Sequence, residues 1–224
     1  MNEQNDYSYI KRNLESIRAR ADAAAAASPY GQPYELLLAT KYATADEINY
    51  AHALGVGKIG ENRVQSLLEK YDALNRDGLD IHFIGSLQKN KVKYIIDKVS
   101  MIESLDSLPL AEEIERQAAK HEKVMDCLIE VNIGREAQKG GVLPEDASDF
   151  AEKLAVFPHI RLCGIMTMAP KCDDAADYRK YFRESYHIFI DICEKKLHNV
   201  DRHVLSMGMS RSFEAALAEG ATLI

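Results

Sequence analysis

The run Glu35-Leu36-Leu37-Leu38-Ala39-Thr40-Lys41 has the length of a strand, is largely apolar, and ends on a lysine. A strand buried on both faces of a parallel sheet reads as continuous hydrophobe rather than as alternation. The carboxyl ends of such strands are where α/β folds place their chemistry. An amine held there partly out of water has a lowered pKa and becomes a nucleophile towards aldehydes. The plain alternative is a solvated lysine in a βα loop. Other polar residues stand in the same relation to later apolar runs. Gly60-Glu61-Asn62-Arg63 follows the second run, and His82 to Gln88 closes the third. Asn132 to Arg135 follows the fifth, Met166-Thr167-Met168 the sixth, and Ser206-Met207-Gly208-Met209-Ser210 the seventh. In that last cluster Gly208 permits close backbone approach, the amides leading into a helix near Ser212 can face an anion, and both serines carry hydroxyls. Loops after strands seven and eight of a barrel commonly hold phosphate. Plainer roles stand beside these. Ser210 or Ser212 could cap the helix, Asn62 could be an N-cap, and His82 could be a buried core histidine. Met166, Met168, Met207 and Met209 suit packing as well as ligand stacking, and Lys89, Lys91 and Lys93 suit a solvated helix face.

The elements that must position these groups alternate regularly. Tyr7, Ile10, Leu14, Ile17 and Ala21 have helical spacing, which predicts a helix over 7–26, and Ser28 to Pro33 breaks it. Strands are predicted at 36–40, 58–60, 81–85, 101–104, 125–132, 160–166 and 203–206. Helices are predicted at 45–54, 63–74, 90–96, 108–121, 146–157, 174–197 and 212–219, and 221–224 opens a further apolar run. Such alternation with short links means parallel strands and right-handed crossovers. The expectation is an α/β chain forming one (β/α)8 TIM barrel over 1–224, with 1–34 as an extra N-terminal helix and loop. The eighth strand is then only begun. Because a barrel strand needs neighbours on both sides, the expectation is either that the natural protein continues beyond Ile224 or that a disordered tail is missing from this sequence.

Bulk properties narrow the classes of function. The chain has 224 residues, 46% of them hydrophobic, enough for a core that needs no staples. A net charge of −7 repels nucleic acid and anionic membrane, while leaving room for a small anionic ligand held by a local cluster. Four cysteines, Cys127, Cys163, Cys172 and Cys193, are scattered without a CxxC pair, which argues against zinc and against a disulfide framework. The polar N-terminus has no signal-peptide pattern, and no apolar run reaches membrane-span length. A cytoplasmic protein is expected.

Read in order, the motifs A-T-K-Y, G-E-N-R-V-Q, H-F-I-G-S-L-Q-K-N-K, V-N-I-G-R-E-A-Q-K-G-G, G-I-M-T-M-A-P and L-S-M-G-M-S resemble the YggS/PROSC family of pyridoxal-phosphate homeostasis proteins. That family is related to the N-terminal barrel of alanine racemase, and the resemblance runs from about Leu36 to Ile224. It implies that Lys41 carries pyridoxal 5′-phosphate as a Schiff base. It further implies that Ser206 with the Gly208-Met209-Ser210 turn holds the phosphate, and that Asn62, His82 and Met166 line the ring. Two departures matter. The family usually has aspartate where this chain has Ser212, and its strand-eight Arg-Ile-Gly-Thr type run would begin just after Ile224. Without that run, weaker cofactor binding is expected.

The cofactor brings its own electron sink, so the protein must add orientation and a placed acid or base. A racemase needs proton donors on both faces of the substrate. In alanine racemase the resemblance suggests that a second domain and a partner subunit complete the second face. With one face open to water, the expected protein is a monomeric, non-catalytic carrier or buffer of pyridoxal phosphate, with apo-enzymes as possible recipients. The rivals are a pyridoxal-phosphate-dependent racemase or lyase with Lys41 as base, and a cofactor-free Schiff-base aldolase.

Overall fold

The computed structural model describes residues 6–195, 197 and 200–224, with 200–203 as backbone only. Residues 1–5, expected to lead into the first helix, and Lys196, expected inside the 174–197 helix, lie outside the described residues. Helix α1 (Ser8–Ala26) precedes strand β1 (Leu37–Ala39). Then come α2 (Ala45–Ala53), β2 (Lys58–Glu61), α3 (Val64–Tyr71), β3 (Asp80–Phe83), α4 (Lys89–Val92) and β4 (Met101–Leu105). The second half runs α5 (Leu108–Lys120), β5 (Met125–Val131), α6 (Ala147–Leu154), β6 (Ile160–Thr167), α7 (Ala175–Glu194), β7 (Val200–Met207) and α8 (Phe213–Ala218). Among the described residues, no helix is long and apolar enough to cross a membrane.

The strands form one seven-stranded parallel sheet in the order β1 to β7, each strand pairing with the next. The two edges of this sheet are joined through the 222–224 segment. Leu223 forms parallel bridges to both Ser206 and Glu35. Leu37 N donates to Ile224 O at 2.8 Å, and Met207 N donates to Leu223 O at 3.1 Å.

Local chemistry explains where several helices begin. Thr44 accepts from Glu47 N while Glu47 takes the Thr44 amide, a reciprocal cap that starts α2 three residues after Lys41. Pro109 in the first turn suits α5, because the missing N–H would have had no helical partner there. The expected 90–96 helix is shorter than its pattern. Only Lys89–Val92 is α-helical, and i+3 bonds such as Ile95 N to Val92 O carry the chain onward. Val92, Ile95, Ile96 and Val99 are buried all the same. Apolar spacing of three and four is satisfied by tight turns as well as by a regular helix.

The main core lies between strands and helices. Ile59, Phe83, Ile102, Ile129 and Ile165 of the sheet pack with Leu67, Ile114, Phe182 and Leu217 of the helices. A smaller cluster, Met101, Leu128, Cys163 and Met166, occupies the other face of β4–β6. On the first strand, Leu36 and Leu38 pack against Leu14, Ala51 and Val56. Side chains alternate along a strand, so Leu37 and Ala39 turn to the inner face.

Candidate functional site

Lys41 stands in an exposed turn just past β1, its Nζ 5.1 Å from the ring centroid of Tyr42. The partly desolvated amine expected from the apolar run is therefore not what forms. The strand stops at Ala39, and water reaches the turn, where Tyr42 is 89% exposed. The turn is nevertheless held firmly from behind. Lys70 Nζ donates to Thr40 O at 2.9 Å and Ala43 O at 3.3 Å, and lies 2.5 Å from Glu61 Oε1. Thr40 Oγ1 donates to the same carboxylate oxygen at 2.6 Å, and Ser66 Oγ reaches Oε2 at 3.3 Å. Glu61 is thus a buried structural carboxylate that clamps both sides of the lysine turn, not a rim ligand.

Asn62, the next residue, behaves differently. It does not cap α3, whose N-cap is Arg63 without a side-chain bond. Its Oδ1 is buried and has no hydrogen-bond partner. The backbone of Asn62 is closely covered: a Cβ on Gly85 would come within 2.1 Å of Asn62 O, so only glycine lets the loop after β3 lie there. A buried acceptor left unpaired costs about 1–3 kcal/mol unless a ligand or water fills it.

His82 is buried on β3, register-paired with Gly60 on one side and Met101 on the other. Its Nδ1 lies 2.6 Å from Glu103 Oε1, and Ser206 Oγ donates to Glu103 Oε2 at 2.7 Å. Glu103 thus ties β3 to β7 from β4, at 1% exposure. Glu130 of β5 pairs in register with Met166, which pairs with Ser206. Burial first, and the nearby Asp106 charge second, push the Glu130 carboxyl up to about 7. Neither glutamate was singled out from the sequence. The available signal was a glutamate inside a largely apolar strand, at 101–105 beside Ser104 and at 125–131 beside Asp126.

The turn after β7 is built around Gly208, whose φ of +98° disfavours any other residue and where a Cβ would come within 2.8 Å of Ala216 Cβ and 3.0 Å of Phe213 Cα. Ser212 is buried but is not the side-chain cap of α8. Its Oγ instead accepts from Met209 N at 3.1 Å, while Ser212 N and Phe213 N donate to Met209 O. Met209 therefore cannot offer its amide to a ligand while that bond stands, and its side chain is exposed. Among the described residues, the amides of Gly208, Ser210 and Arg211 donate no hydrogen bond. The geometry places His82, Met166 and Ser206 on β3, β6 and β7, with the Gly208–Ser210 turn, Lys41 and Asn62 just past the carboxyl ends of β7, β1 and β2.

The chain is similar to known proteins over most of its length. The sequence profile of the alanine racemase N-terminal domain matches residues 6–223. A pyridoxal phosphate homeostasis protein of Aquifex aeolicus is 43% identical over 190 residues, 85% of this chain and 82% of that protein. A protein of the same name from Pseudomonas aeruginosa is 33% identical over 97% of this chain and 92% of its own length. Among solved structures, PipY of Synechococcus elongatus with PLP bound superposes with a TM-score of 0.81 at 28% identity, covering 96% of each chain.

Proposed function

We propose, from the premise that this chain belongs to the alanine racemase N-terminal-domain family and within it to the pyridoxal phosphate homeostasis proteins, that it binds pyridoxal 5′-phosphate at the carboxyl-end rim and serves intracellular vitamin B6 and amino-acid balance. The observation that carries this reading is the buried, unpartnered Oδ1 of Asn62 on the rim that bears an accessible Lys41 amine. An acceptor kept out of water without a donor fits a ligand that brings one. The rest of the rim fits the same group. Lys41 would hold the cofactor aldehyde as a Schiff base, and Ser206 with the free amides of Gly208 and Ser210 would hold its phosphate. Met209 would contribute through the shape of that turn, and Asn62, His82 and Met166 would line the ring.

In this reading the whole of 1–224 is one (β/α)8 barrel domain, entered through the N-terminal helix, and 222–224 starts its eighth strand between β7 and β1. When bound, the cofactor supplies an electron sink for substrate carbanions. The chain's own residues bind and orient it, but the Lys41 turn lies open to water on its outer side, so proton transfer on a second substrate face is not directed. On this proposal the protein acts as a carrier or regulator rather than an enzyme, and we further read it as cytoplasmic and monomeric, with pyridoxal-phosphate-dependent apo-enzymes as recipients.

The test is the visible spectrum of the purified chain with pyridoxal 5′-phosphate, before and after borohydride, with peptide mass mapping. A yellow band reduced onto Lys41 and lost in Lys41→Ala is expected. A colourless protein with no modified peptide would sink the reading. Racemase or transaminase turnover at ordinary enzymatic rates would overturn the non-catalytic part alone.

A further inference from the structure

We propose that Glu103 is a positioning residue that couples anion binding at the 206–210 turn to proton uptake by the Glu103–His82 pair, an inference that rests on reading that turn as the phosphate site. Ser206 has a single proton to donate, and it gives that proton to Glu103 Oε2 at 2.7 Å. An anion that accepts from Ser206 takes the donor away from Glu103. The carboxylate is 1% exposed, so water cannot replace the lost bond, and its remaining partner is His82 Nδ1 at 2.6 Å. The same event brings a second negative charge next to a buried one. Both changes favour the form of the pair that carries one more proton.

His82 is able to take it. With Nδ1 turned to Glu103, its Nε2 makes no hydrogen bond among the described residues and can bear the proton. The proton belongs to the pair as a unit rather than to either member. Other charged groups on this side of the sheet do not cancel the effect. Lys41 is exposed past β1, and its charge is screened by water. Glu130 on β5 and Asp106 past β4 are acidic and push the same way. Towards the amino ends of the strands, Lys58 is paired with Asp80 and Arg161 with Asp126.

The experiment uses the full chain and pyridoxine 5′-phosphate, which carries the phosphate but no aldehyde and so does not need Lys41. Binding heats in two buffers of different ionisation enthalpy give the protons taken up per ligand. Wild type is expected to take up about one proton more per ligand than Glu103→Gln. A merely structural Glu103 would change affinity or stability without changing the proton count. Should Glu103→Gln not fold, Ser206→Ala keeps the Glu103–His82 contact and removes the exchanged hydroxyl, so it should lose the part of the excess uptake that the hydroxyl exchange causes. Equal uptake in wild type and variant overturns the inference. If pyridoxal 5′-phosphate is still reduced onto Lys41 in that case, the proposed function stands without it. If neither ligand binds wild type, the function reading fails and this inference falls with it.

Discussion

Glu61 and Asn62 are adjacent in the chain and opposite in their surroundings. Glu61 faces the helix layer, where Lys70, Thr40 and Ser66 use both of its oxygens. Asn62 faces the rim with a buried oxygen that nothing uses. The contrast extends along the sheet. On the helix side, the strands contribute to one continuous apolar core, and both oxygens of Glu61 are paired. On the rim side, Lys41 is exposed, Glu130 has no hydrogen-bonded side-chain partner among the described residues, and several turn amides are free. The helix-side face holds the fold, while the rim side joins the paired His82, Glu103 and Ser206 to groups left uncommitted at a cost in stability. Proteins leave such groups unpaired where a ligand completes them.

The largest test of this contrast removes the satisfied carboxylate. Glu61→Ala leaves the Lys70 ammonium buried without its counter-charge, and breaking one side of such a pair costs about 3–5 kcal/mol. Urea unfolding should show that loss, and the turn that carries Lys41 should loosen with it. A change under 1 kcal/mol would mean that the clamp is not what holds the turn.

The second test has the opposite sign. The Glu130 pKa is raised, so the folded state holds this proton more tightly than the unfolded chain does. Its contribution is fully present below the unfolded value of about 4.5 and is lost as pH rises through about 7. At pH 8, therefore, Glu130→Gln should be more stable than wild type by about 1–3 kcal/mol, after allowing for partial solvent access. The gain should shrink to nothing by about pH 4. Parallel stability curves for the two proteins across that range would refute it.

How much of this was legible in the sequence follows from the range of the interactions concerned. The strand and helix alternation is local, and it was readable from Leu36 to Ser206 because period and turn residues are local signals. The rim positions of Asn62, His82 and Ser206 follow from that register alone. The solvent access of Lys41 does not, because it depends on where β1 stops and on how Lys70, 30 residues away from Thr40, grips the turn. Glu103 shares a hydrogen bond with Ser206 across 103 residues, and no spacing rule connects them. Ser212 misled differently. A serine before a helix suggests a cap, but its hydroxyl turned back to Met209, since Gly208 folds the chain so that this amide is the nearer donor.

The smallest expected effect on stability is also the sharpest discriminator between the two faces. Asn62→Ala deletes an oxygen that makes no bond, so it should change the unfolding free energy by no more than about 0.5 kcal/mol and could even raise it. Pyridoxal 5′-phosphate affinity should nonetheless fall about tenfold, the loss of one hydrogen bond worth about 1.4 kcal/mol. Equilibrium unfolding and a spectroscopic titration on one preparation measure both. A stability loss as large as that of Glu61→Ala would put Asn62 among the structural residues. A stable variant with undiminished affinity would leave the unpaired oxygen with no part in binding the cofactor, and the reading of the rim would lose the observation on which it chiefly stands.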